Sequence, residues 1–114
     1  MMKKTLVLEL GQGTSLRKES YTKAATRAVE DALWKNSIGI AEAFGFSKDD
    51  MLIDVTIGVQ KPEEVDEEAI KKVLPYGNIL VKPEFGGLDI ASTNNTAKTI
   101  VAVAAILVSL DVEG

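Results

Sequence analysis

Gly11-Gln12-Gly13-Thr14 follows an apolar stretch and precedes, across a short polar loop, a run with helical spacing. Backbone N–H groups in such a loop can cradle a carboxylate or phosphate. The segment lacks the third glycine of a dinucleotide fingerprint, and no Gly-Lys-Ser/Thr follows as in a phosphate-binding P-loop. A strand-ending turn built from small residues is the simpler account of the same four positions. Arg17, Lys18 and Lys23 are near this loop in sequence, and with Lys82 they form a set of cations suited to an anion pocket between subunits, or else to a solvated surface. Lys61 closes an alternating apolar run and is a candidate cleft amine. Phe85-Gly86-Gly87-Leu88 offers backbone donors and Asn94-Asn95-Thr96 offers amides and a hydroxyl; ordinary turn chemistry accounts for both.

Other chemistries lack their parts. The chain has no cysteine and no histidine, which removes disulfides, thiolate nucleophiles, zinc-thiolate sites and the commonest general base. Ser92 has no histidine to activate it. An all-oxygen metal site made of Glu9, Asp54 and Asp89 is possible, with no motif to support it; neither metal nor cofactor is expected. Glu9 and Asp54 sit on the less apolar faces of their strands, where an oligomer interface would bury them and oblige them to find partners.

The elements that position these residues follow from periodicity. Thr5 to Leu10 alternates Leu6, Leu8 and Leu10 with Val7 and Glu9, as a strand does. Ser20 caps a helix whose stripe is Ala24, Ala25, Ala28, Val29, Ala32 and Leu33; it ends near Asn36 or continues with a kink to Phe44, with Gly45 as its stop. The alanines let this helix lie close to whatever it covers. Met51 to Gln60 is a half-buried strand with Ile53, Val55, Ile57 and Val59 on one face. Asp66 caps a short helix carrying Ile70, Val73 and Leu74. After the turn Pro75-Tyr76-Gly77-Asn78 come a short strand, Ile79 to Lys82, a glycine turn, a polar loop from Ala91 to Lys98, and a last element from Thr99 to Leu110. That last element is apolar on both faces and rich in β-branched residues, so it reads as a strand covered on both sides, with a buried helix as the rival.

A chain of 114 residues, 46% hydrophobic and 26% charged, has room for one core, and residues 1–114 are read as a single domain. The fold class is α+β, a mixed sheet with two main helices on one face in the order β-α-β-α-β-β. Two helices cannot cover both faces, so the doubly apolar last strand implies that another copy of the chain covers the second face. The net charge is −4, with eight basic and five acidic residues up to Lys48 and five basic and twelve acidic beyond it. No basic stripe with interleaved aromatics marks a nucleic-acid binder. The apolar run after Met1-Met2-Lys3-Lys4 breaks at Glu9, too soon for a secretory segment, so a cytoplasmic protein with no membrane partner is expected.

Taken together, Glu9-Leu10-Gly11-Gln12-Gly13-Thr14, Tyr21-Thr22-Lys23-Ala24-Ala25, Arg27-Ala28-Val29, Asn36-Ser37, Leu74-Pro75-Tyr76-Gly77 and Gly86-Gly87-Leu88 resemble an uncharacterised bacterial and archaeal family, the Lin-type conserved hypothetical proteins. The resemblance spans nearly the whole chain. The family's loop after the first strand is rich in Asp, His, Gly and Gln, whereas this chain has Ser15-Leu16-Arg17-Lys18-Glu19-Ser20. More distantly, the element order is similar to the trimeric fold shared by the monofunctional chorismate mutases of bacilli and the YjgF-type imine deaminases. That likeness implies a trimer or a multiple of one, and carries no activity with it. The expectation is a homo-oligomer that binds a small anionic metabolite in clefts between subunits, lined by Gly11, Gly13, Thr14, Arg17, Lys23, Lys61, Lys82, Gly86 and Gly87. A structural or regulatory oligomer without a small-molecule site is the alternative, and an enzyme using lysine or carboxylate acid–base chemistry the third; whether the chain is an enzyme stays open.

Overall fold

The computed structural model describes residues 2–16, 20–35, 51–74, 77–91 and 97–112. Strand β1 (Met2–Ser15) leads through Ser20 into helix α1 (Tyr21–Lys35); strand β2 (Met51–Val59) is followed by a 3-10 turn (Pro62–Glu64) and a short helix, α2 (Glu67–Lys71). Strands β3 (Asn78–Phe85), β4 (Leu88–Ala91) and β5 (Lys98–Val112) complete the chain. The sheet order is β1-β5-β2-β3, with β4 paired to β5 as well. Only β2 and β3 run parallel; β5 is antiparallel to β1, β2 and β4.

The last element is a strand, and it sits at the centre of the sheet, as its β-branched composition requires. Ile100, Ala102, Ala104, Ile106 and Val108 of β5 join Ile53, Val55, Ile57 and Val59 of β2 and the stripe Ala24, Ala25, Ala28, Val29 and Ala32 of α1 in one core. Ile70 and Leu74 extend that core around α2. The caps are where the sequence puts them: the Ser20 hydroxyl accepts from the Lys23 N–H at 3.1 Å, and the Asp66 carboxylate accepts from the N–H groups of Glu68 and Ala69.

Three readings need correction. The strand does not stop at Gly11; β1 runs on to Ser15, and Gly11 and Gly13 pair with Ala104 and Ala102 of β5. Their lack of a side chain serves contact with α1. A Cβ on Gly11 would lie 2.3 Å from the Ala28 carbonyl oxygen, and one on Gly13 would lie 2.4 Å from the Ala28 nitrogen. The strand after α2 extends to Phe85 and tolerates Pro83 because β3 is an edge strand. The residues after the glycine turn form a further strand, β4, which lies beside β5 beyond the end of β2: Gly58 pairs with Val103 and Leu88 with Val101. Gly86 and Gly87 carry the chain from the β3 lane into this one, with Gly87 at φ +62° and no room for a Cβ, which would meet the Val101 carbonyl oxygen at 2.3 Å. The helix continuation toward Phe44, its stop at Gly45, the Pro75-Tyr76 part of the turn and the Asn94-Asn95-Thr96 loop fall outside the described residues.

Candidate functional site

Alternation along β1 gives the sheet two unlike faces. Glu9, Gly11, Gly13 and Ser15 point under α1 and are buried, whereas Leu8 and Leu10 on the opposite face are 58% and 61% exposed. The open face is legible row by row across the strands: Leu8, Leu107, Asp54 and Leu80; Leu10, Ala105, Thr56 and Lys82; Gln12, Val103, Gly58 and Glu84. Its β1 and β5 side is apolar and continues into Leu88 and Ile90 of β4, which are exposed like Val103. Its β2 and β3 side is more polar, with Asp54, Thr56, Lys82 and Glu84 beside the exposed Leu80. Two shallow concavities lie along these strands, one bounded by Leu10, Gln12 and Val103, the other by Leu52, Asp54, Asn78 and Leu80.

The residues expected to bind an anion are dispersed within one chain. Gly11 and Gly13 are spoken for by the helix, and Thr14 is exposed on β1. Lys23 projects to solvent from the first turn of α1. Lys61, beyond the end of β2, faces Glu64 at 3.7 Å on the surface. Gly86 and Gly87 form the β3–β4 turn, where their carbonyls accept from the Gln60 side-chain amide at 3.0 and 3.1 Å. Lys82 stands exposed on the open face, at the opposite edge of the sheet from Thr14, with no ion pair among the described residues. Arg17 lies outside the described residues.

Sequence reasoning did not find a part-buried cluster of titratable groups that the fold assembles among the described residues. Tyr21 at the start of α1, 3% exposed, donates its phenol proton to Asp89 of β4; Lys98, at the start of β5, donates to the Tyr21 oxygen at 3.2 Å and faces the same Asp89 oxygen at 3.4 Å. The other Asp89 oxygen is buried without a partner among the described residues. Burial and the bond to Asp89 push the Tyr21 phenol above its ordinary range, and the bond to Tyr21 raises Lys98. At neutral pH the phenol therefore stays protonated and the lysine stays an ammonium. The trio acts as a clasp that ties the start of α1 to the β4–β5 hairpin, with fixed charges and no free base among Tyr21 and Lys98. Only spacing in the fold could reveal it, since Tyr21 and Lys98 are 77 positions apart.

Glu9 is the second buried ionisable group. One of its carboxylate oxygens has no partner among the described residues, and burial raises its pKa. The chain thus buries Glu9 by itself, under its own helix and on the face opposite to Asp54. Glu9, Asp54 and Asp89 do not converge, and the described residues hold no group of three or more carboxylates with metal-binding geometry. Among the described residues, no helix is long and apolar enough to cross a membrane.

A profile described as a conserved hypothetical protein family, Lin0512, matches residues 5–108. Among solved structures, an FtsZ-like protein of unknown function from Nostoc punctiforme is 32% identical, with a TM-score of 0.87 over 98% of this chain and 99% of its own. No curated protein matches the chain.

Proposed function

The chain belongs to the Lin0512 family of conserved hypothetical proteins, and from that premise we propose that it works as a homo-oligomer whose copies cover one another's open sheet faces and bind a small anionic metabolite at the boundary between them. One observation carries this reading: Leu8, Leu10, Val103, Leu88 and Ile90 form a continuous exposed apolar surface on three neighbouring strands, 44% to 61% exposed. Contiguous apolar surface of this kind marks an interaction site on a small protein. Four strands about 4.8 Å apart and roughly ten residues long present on the order of 700 Å² per copy. A standard stable interface uses about 800 Å² per partner, so this face is large enough for the purpose.

The division of the face supports the second half of the proposal. The apolar β1 and β5 side suits contact between copies, and the more polar β2 and β3 side would border whatever cleft remains. Lys82 supplies an ammonium there with no ion pair among the described residues. The choice of three copies or a multiple of three rests on the distant resemblance of the sequence to trimeric chorismate mutases.

Light scattering on the purified chain, alone and as Leu10→Lys and Val103→Lys, tests the assembly. The expected result is a mass that is a multiple of the monomer and falls to monomer in both variants with secondary structure retained. A monomeric parent sinks the proposal. Anion binding is checked by thermal shift in a panel of small di- and tricarboxylates and phosphates, with Lys82→Gln as control. A ligand at a hundred times its dissociation constant adds about 2.7 kcal/mol of stability, and the variant should lose that gain.

A further inference from the structure

A sheet can recruit another copy by two routes, packing on its face or adding a strand at its edge, and unpaired edge strands invite the second. Among the described residues the strand path ends at β1 and β3, and the four-residue β4 is paired on one side, by β5. The β3 edge carries Pro83, which has no N–H to offer, between the exposed charges Lys82 and Glu84. Strand β1 is a different case, since its 14 residues contain no proline and its register with β5 is unbroken from Val7 to Ser15. In an antiparallel ladder alternate residues turn both backbone groups away from the partner strand. On β1 the outward set includes Gln12 and Thr14, because the outward groups of both meet side chains from α1.

The Gln12 N–H donates to the Asp31 carboxylate at 3.0 Å, and the Thr14 carbonyl accepts from the Arg27 guanidinium at 2.6 Å. Arg27 and Asp31 stand one turn apart on α1, so that one helix face meets successive outward positions of the strand. They reach because the helix lies on Gly11 and Gly13, where a Cβ on either would fall within 2.3 to 2.4 Å of the Ala28 backbone. We infer that Arg27 and Asp31 close the β1 edge against strand addition, so that a second copy of this chain is taken up on the open face and not by extension of the sheet. This deepens the proposed self-assembly and rests on it for the choice of the face. The closing of the edge stands on the two hydrogen bonds alone.

The consequence is a limit on assembly. Two freed β1 edges pair with one another and close as a dimer, because the β3 edge carries Pro83, but every copy of a face-packed oligomer would carry a freed β1 edge and so would link its assembly to the next. The pair therefore sets the difference between a closed oligomer and an open-ended one.

The test compares the parent chain with Arg27→Ala/Asp31→Ala and with Arg27→Lys, by sedimentation velocity over a hundredfold range of concentration and by amide hydrogen exchange. Removing the pair should produce a series of larger species growing with concentration, and should speed exchange at the Gln12 amide about tenfold while core amides of β5 keep their protection. Arg27→Lys, which keeps a donor for the Thr14 carbonyl, should stay at the parent size. Adding Val103→Lys to the double variant separates the two routes: association that persists but stops at pairs assigns it to the freed edge. An unchanged size distribution together with unchanged Gln12 exchange overturns the inference. If the parent is monomeric, the open-face reading fails, but the edge is still decided by whether the double variant alone associates.

Discussion

The two faces of the sheet are built from the same strands and treat leucine and glycine in opposite ways. On the covered face β1 contributes Glu9, Gly11, Gly13 and Ser15, all buried; on the open face it contributes Leu8 and Leu10, both more than half exposed. Judged by hydrophobicity alone, β1 is inside out. What decides its orientation is the neighbour. Helix α1 presents an alanine stripe, whose short side chains bury fully only if the backbones approach closely, and a strand of alternating glycines allows that approach. The leucines are then left for the other side, where their burial requires a further copy.

The sharpest break of this comparison is Gly13→Val. A β-branched side chain under α1 meets helix backbone that cannot yield, so stability should fall by about 3 kcal/mol or more, read from denaturant unfolding. A variant as stable as its parent would show that the close approach of α1 to β1 is not what sets the face.

A middle-sized effect belongs to the clasp at the start of α1. Tyr21→Phe removes the donor to Asp89 and leaves a buried carboxylate short of one bond, which should cost about 1 to 2 kcal/mol. Because the folded state raises the proton affinity of both Tyr21 and Lys98, their contribution is fully present below their unfolded values near pH 10 and is lost as pH rises through the folded ones. The gap between parent and variant should therefore hold at pH 7 and close under alkaline conditions. A gap that is constant with pH would remove the clasp from the account.

The smallest effect has the opposite sign. Burial raises Glu9, so its favourable contribution is fully present below the unfolded carboxylate value near 4 and is lost as pH rises through the raised folded value. Glu9→Gln should raise stability at pH 7 by up to about 1 kcal/mol, and that gain should vanish in acid. Destabilisation at pH 7 would mean that the ionised carboxylate is held by a favourable interaction on the covered face.

Much of the architecture was legible because it is written in local periodicity. The alanine stripe and Ser20 cap of α1, the alternation of β2, the Asp66 cap and the β-branched last strand each follow from neighbours within a few residues, and each is where the sequence places it. Strand β4 escaped because four residues between a glycine pair and a polar run hold too little pattern to distinguish a strand from a turn. Gly11 and Gly13 were misread as the end of a strand for a related reason: a glycine signals the absence of a side chain, and whether the space goes to a turn or to a helix is settled by partners 11 to 21 positions away.

The sequence by itself therefore determined the helices, most of the strands, the α+β class, and a last strand too apolar for one covered face, since these depend on side-chain period and backbone preference. The tertiary structure decided which face of β1 is covered, that Tyr21, Asp89 and Lys98 meet, that the expected anion ligands stay apart within one chain, and that Arg27 and Asp31 reach the outward groups of Thr14 and Gln12. Those outcomes depend on how closely α1 approaches the sheet, a distance no local pattern encodes.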